Sequence, residues 1–384
     1  MFLKPLHRNL FAVIVTMAAA TLIYSLTTPL LSLILDRQGV GSTMIGLSTA
    51  TQALAIFVIA PIAPGLLRRF GPARLMLWAI ALKLVFFLLL PVFPNVYSWF
   101  PLRFLIGAGA SMMWIASEAW INAVVEERYR GRALAVYSAA TMGGYALGPL
   151  VLVVTGSEGW APFLAGAVVI LVSALATSIG AGVAPSFRGR PTAPLLAFFW
   201  MAPLVMLGCL VVAASDGVLA TFLPLYTLGQ GLGQEQGLYL LTLLGLGGVV
   251  LEYPFGWLAD RMNRRLLALL LSLALLTGCL LFPLVVPQPG INSIFIFLFG
   301  GCLGALYTLS NVLMGERFQG ADLASASTLF ATMWNLGTLL GPPAGGIGLE
   351  ISRDLGLPGT LTLFFLLFCA APLLSYLRQR RARQ

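Results

Sequence analysis

From Leu266 to Gly315 the chain carries no charged side chain. A crossing of the membrane core takes about 20 mostly apolar residues as a helix. The run is therefore too long for one crossing, and Pro287-Gln288-Pro289-Gly290 divides it with turn chemistry. The rest of the chain has the same character: 59% hydrophobic, 9% charged, mean hydropathy +0.95. Soluble domains are usually about a quarter charged. Twelve apolar helices with short connections use nearly all 384 residues and leave no room for a soluble catalytic domain. The pattern predicts helices near 10–34, 43–64, 75–92, 97–124, 133–155, 160–183, 198–228, 237–257, 266–286, 292–314, 325–349 and 359–377. The first runs apolar from Leu10 to Ile34, too long for a signal-peptide core, and is expected to be retained as a helix.

A formal net charge of +9 in a soluble protein would suggest nucleic acid. Here the cations gather in connections and tails, the distribution that orients membrane proteins, and no nucleic-acid partner is expected. With both termini in the cytoplasm, Lys4, Arg8, Arg68, Arg69, Arg74, Arg128, Arg130, Arg132, Arg188, Arg190, Arg261, Arg264, Arg265, Arg317, Arg378, Arg380, Arg381 and Arg383 fall inside. Only Arg37 and Arg353 fall outside, while Lys83 and Arg103 lie within helices. Cys209, Cys279, Cys302 and Cys369 are scattered, with no C-x-x-C pair, and the one histidine, His7, is N-terminal. No metal site or disulfide framework is expected. A G-x-x-x-x-G-K-S/T loop is missing, so the chain has no ATP engine of its own, and no cofactor is expected.

The stretch Gly256-Trp257-Leu258-Ala259-Asp260-Arg261-Met262-Asn263-Arg264-Arg265 interrupts this apolar pattern. It resembles the G-x-L-A-D-R-x-G-R-R/K loop of the major facilitator superfamily, with Asn263 in place of the second glycine. Asn tolerates a left-handed turn, so the exchange is mild. Three repeats at a nearly constant offset argue that the chain is duplicated. Glu127-Arg128-Tyr129-Arg130-Gly131-Arg132 is echoed by Glu316-Arg317-Phe318-Gln319-Gly320-Ala321; Gly144-x-x-x-Gly148-Pro149 by Gly337-x-x-x-Gly341-Pro342; Arg69-Phe70-Gly71 by Arg261-Met262-Asn263. The resemblance implies an all-α integral membrane protein, with twelve transmembrane helices in two six-helix pseudo-symmetric halves. The halves are expected at 1–184 and 198–384, joined by a cytoplasmic linker at 185–197.

The same resemblance assigns expected roles. Gly337-x-x-x-Gly341-Pro342-Pro343-Ala344-Gly345-Gly346 looks like the family's G-x-x-x-G-P-x-x-G-G run, associated in the fifth helix with antiporters. Here the full form stands in the eleventh helix and the fifth-helix copy lacks the double glycine. The alternative is a packing groove, because glycines four apart let a neighbouring helix approach and proline removes a backbone donor. Arg103-x-x-x-Gly107-x-Gly109 is similar to a run linked to proton transfer; the alternative for Arg103 is to snorkel to the surface. Asp260 is implied as a conformational latch toward the start of the eleventh helix, with Arg261, Arg264, Arg265 and Arg69 around the two latch loops. Arg68 stands where Asp260 would be in the first half.

Glu118 lies in Ser117-Glu118-Ala119-Trp120-Ile121-Asn122, four residues after Trp114 and on its helix face. A carboxyl at that depth avoids lipid and can carry a proton, or can be fixed by a neighbouring helix. This stretch is similar to a YcaD-like bacterial branch of the family. Tyr307 stands at the equivalent place in the second half, and Trp114 and Tyr307 are expected cavity residues. Asp216, mid-way along the seventh helix, lies on a helix that lines the cavity in this family; a packing role is the alternative. Glu252 either faces the cavity or pairs with loop arginines, and Lys83 either pairs with a carboxyl or snorkels. These readings describe a monomeric secondary transporter in the bacterial cytoplasmic membrane, moving a small organic solute by proton-coupled antiport. A proton-coupled importer or uniporter on the same fold, a lipid flippase and a membrane enzyme are the alternatives. A single histidine leaves the enzyme without the usual base.

Overall fold

The computed structural model describes residues 5–125, 127–181 and 197–381. The expected linker at 185–197 lies outside them apart from Ala197. The elements are α1 (Pro5–Arg37), α2 (Ser42–Phe70), α3 (Pro72–Leu89), α4 (Val96–Val124), α5 (Glu127–Thr155), α6 (Ala161–Ala181), the single-turn α7 (Ala197–Met201), α8 (Pro203–Gly229), α9 (Gln234–Arg261), α10 (Arg264–Val285), α11 (Ile291–Arg317), α12 (Gly320–Ile351) and α13 (Gly356–Arg381). Among the described residues eleven helices are long and apolar enough to cross a membrane. The twelfth long helix, α12, reads as less apolar because Gly337, Gly341, Pro342, Pro343, Gly345 and Gly346 fill its middle. The expected helix at 198–228 is broken at Ala202, since Pro203 opens α8 at a first-turn position that suits its missing N–H.

Helix ends follow local chemistry. Asn95 caps α4, accepting from the Tyr97 N–H at 2.9 Å. Asn263 caps α10, accepting from the N–H groups of Arg265 and Leu266 at 2.9 and 3.2 Å. Its φ is −62°, so the left-handed turn expected there is not used. The first-half counterpart, Gly71, does take φ 73°. One turn is thus closed in two ways, by backbone freedom in one half and by a side-chain cap in the other.

The chain folds into two compact units, Met1–Gln38 with Thr51–Arg190, and Gly39–Ala50 with Pro191–Gln384. In the first, α5 lies along α1 where glycine permits it: a Cβ on Gly144 would overlap the Ala18 carbonyl, and one on Gly148 would overlap Ser25 and the Leu22 carbonyl. In the second, α12 lies along α8 in the same way, Gly337 against the Leu210 carbonyl and Gly341 against that of Ala214. Gly345 continues the row against Val218 and Phe222. The pairing recurs between α2 and α4, where Gly107 meets the Gln52 carbonyl, and between α9 and α11, where Gly300 meets that of Leu244. With little hydrophobic drive between helices in lipid, such close backbone approach supplies much of the packing energy. Both α5 and α12 run on through Pro149 and through Pro342 and Pro343.

Candidate functional site

In the first unit the indole of Trp114 donates to a Glu118 carboxylate oxygen at 2.9 Å. Both residues are exposed, Trp114 by 39%. They lie near the inner end of α4, Glu118 about 9 Å along the axis from Val124. The flanking turns are pinned. The Ser117 hydroxyl meets Tyr137 of α5 at 3.2 Å, and the buried Trp120 donates to Asn9 of α1 at 2.8 Å. The exposed pair is thus held on a helix that its neighbours fix on both sides.

Arg103 does not snorkel. It is fully buried on α4, within electrostatic reach of the Tyr24 phenol of α1. The glycines that follow it face different helices, Gly107 the backbone of α2 and Gly109 that of α3. Lys83 is also buried, at 3% exposure, with its amino group 3.4 Å from the Ala20 carbonyl. Neither reading from the sequence, ion pair or snorkel, describes it.

In the second unit Tyr307 packs against Phe330 and Trp334 of α12, with ring centroids 5.4 and 5.1 Å apart. One residue on, Thr308 donates to Glu252 of α9 at 3.0 Å. Glu252 therefore has a partner on α11, which neither sequence alternative named. Asp216 is half-buried midway along α8, beside the buried Ser215 and Gly217.

The Gly256–Arg265 stretch is mostly helical. Its first six residues close α9, Met262 and Asn263 form the turn, and Arg264 opens α10. Asp260 is mostly exposed and pairs with Arg264 at 3.2 Å, and Arg264 also binds Glu316 at the end of α11. The Arg261 guanidinium lies 3.7 Å from the Trp257 ring centroid, and that of Arg69 lies 5.3 Å from Phe70. These cations rest on aromatic faces at the helix ends.

The family model for the Major Facilitator Superfamily matches residues 13–342 and 205–383. The chain belongs to the major facilitator superfamily. Among its relatives in that superfamily, an MFS-type transporter of Bacillus subtilis, YfkF, is 26% identical over 329 residues, 83% of each chain. YcaD of Salmonella enteritidis is 26% identical over 264 residues, 66% of each chain. The crystal structure of the nucleoside transporter NupG superposes with a TM-score of 0.74 at 13% identity, over 96% of this chain and 99% of that one. A bacterial homologue of the human lysosomal transporter Spinster gives 0.71 at 12% identity, over 97% and 95%. At such identity the likeness is one of fold: a multi-pass, helical transporter of this superfamily.

Proposed function

We propose that the chain is a monomeric secondary transporter of the bacterial cytoplasmic membrane that moves a small organic solute outward by alternating access, in exchange for protons. The observation that carries this reading is the exposed Trp114–Glu118 pair. A charged side chain in mid-bilayer costs about 2.5–3.5 kcal/mol even on the mildest scale. An exposed carboxylate on a membrane helix therefore belongs against water or solute. The indole beside it offers a flat apolar face that attracts cations, and the carboxylate offers a place for a proton. Asp216, half-buried on α8, is the second proton-carrying candidate. Glu252 is third, engaged by Thr308. Arg103, as a buried cation on the same helix as Glu118, favours the ionised carboxylate if the two approach.

One observation favours the second reading, an importer or uniporter. Each glycine of the 337–346 run has a packing partner, so the run needs no directional role.

The test uses proteoliposomes with a pH-sensitive dye inside, scoring solute flux and internal pH together. Glu118→Gln and Asp216→Asn keep size and lose the proton. The expected outcome is loss of gradient-driven accumulation in at least one variant, with solute exchange retained. Accumulation equal to wild type in both and in the double variant removes both acids from the coupling step. Headgroup movement without solute flux would mark a flippase.

A further inference from the structure

Helix α2 is continuous from Ser42 to Phe70, yet its two ends belong to different compact units. Its later part is set deep in the first unit: Ala55, Ile59 and Ala63 are buried with Ala108 of α4, and the Gln52 carbonyl fills the space that Gly107 leaves. Its first residues, with Gly39–Ala50, lie on the end of α12. That second contact is narrow and has three parts. A Cβ on Gly346 would overlap the Ser42 carbonyl, and one on Gly46 would overlap the Pro342 carbonyl. The Glu350 carboxylate accepts from the Thr43 backbone N–H at 3.0 Å and from its hydroxyl at 2.7 Å. Gly41 leaves room for that carboxylate. Two features of the sequence are explained at once. The double glycine serves two helices, Gly345 facing α8 and Gly346 facing α2, and Glu350 closes the first turn of α2, whose opening N–H groups need acceptors.

We infer that Glu350 and Gly346 form a releasable latch that holds the start of α2 on α12 and lets go when the two units move during transport. The inference rests on the transport reading above, since only a cycle of movement requires one end of a shared helix to part. The end that parts is the one held by an exposed carboxylate and bare backbone, rather than the one set among buried side chains. Protonation is not the trigger. The two Thr43 donors hold the Glu350 carboxyl below its ordinary 4.5, so it stays charged through neutral pH. No other charged side chain lies on the chain between Arg37 and Arg68. The latch is therefore separate from the acids assigned to proton coupling.

The test places spin labels at Leu47→Cys on α2 and Ile351→Cys on α12, both exposed, in a cysteine-free background, and reads the distance distribution by pulsed resonance. Glu350→Ala and Thr43→Val should each raise the separated population about two- to fivefold, the range for an exposed charged contact. Gly346→Val should separate the pair almost wholly, whereas Ile347→Ala, exposed on the same turn, should leave the distribution unchanged. Distributions equal to wild type for both Glu350→Ala and Thr43→Val overturn the latch. So does a lowered melting temperature with an unchanged distribution, which would make the seam fixed scaffolding. If Gly346→Val fails to fold, the other two variants decide. Solute flux is not the readout, so failure here leaves the transport reading standing, and failed transport leaves these distances interpretable.

Discussion

At the scale of single residues, small differences in side chain decide which of two neighbours matters. Gly143 and Gly144 are adjacent in α5, but a Cβ at 143 meets open space while one at 144 overlaps the Ala18 carbonyl. Gly143→Ala should raise the melting temperature, by about 0.5–1 kcal/mol of helix propensity. Gly144→Ala should lower it, by about 1–3 kcal/mol of overpacking. Thermal unfolding of the two variants in one detergent checks the opposite signs. Asn263 offers a similar contrast. As the cap of α10, Asn263→Ala should cost about 1 kcal/mol and Asn263→Gly only a few tenths. Equal losses would mean that the side chain does not cap in solution. That Asn263 matters was legible in the sequence from its place in the 256–265 stretch. Its mechanism was not, because a cap and a left-handed turn fit the same residue and only φ separates them.

At the scale of elements, the repeated glycines act as a set. Ala18 and Leu22 of α1, and Leu210 and Ala214 of α8, present carbonyls four residues apart to glycines four residues apart on α5 and α12. This is why the duplication is visible in sequence: a backbone contact tolerates one residue type, whereas a side-chain contact can be rebuilt from many. The asymmetry has the same cause. Gly346 answers a neighbour, the start of α2, and the matching position in α5 is Val153. Gly341→Val, which places a branched side chain on the Ala214 carbonyl, should separate α12 from α8. We expect destabilisation of about 3 kcal/mol, measurable as loss of folded protein on size-exclusion chromatography. A well-folded Gly341→Val variant would show that the α8–α12 approach is not obligatory.

At the scale of the whole molecule, the distribution of cations sets an expected orientation. Cysteines placed at Phe93 and Ile291, between α3 and α4 and at the start of α11, should react with an impermeant maleimide in intact cells. Reaction only after permeabilisation would invert the topology. The sequence by itself determined the class of fold, the number of long helices, most of their limits and the duplication. Each follows from rules local to a segment: apolar length, turn chemistry, and glycine where backbones meet. It also determined that Trp114 and Glu118 share a face, since helical spacing alone brings them together. Only the tertiary structure decided that this face is exposed while Arg103 and Lys83 are buried, that Glu252 has Thr308 as partner, and that Glu350 reaches Thr43. Burial and pairing depend on which helix lies opposite, and residues as far apart in the chain as Thr43 and Glu350 carry no local mark of their meeting.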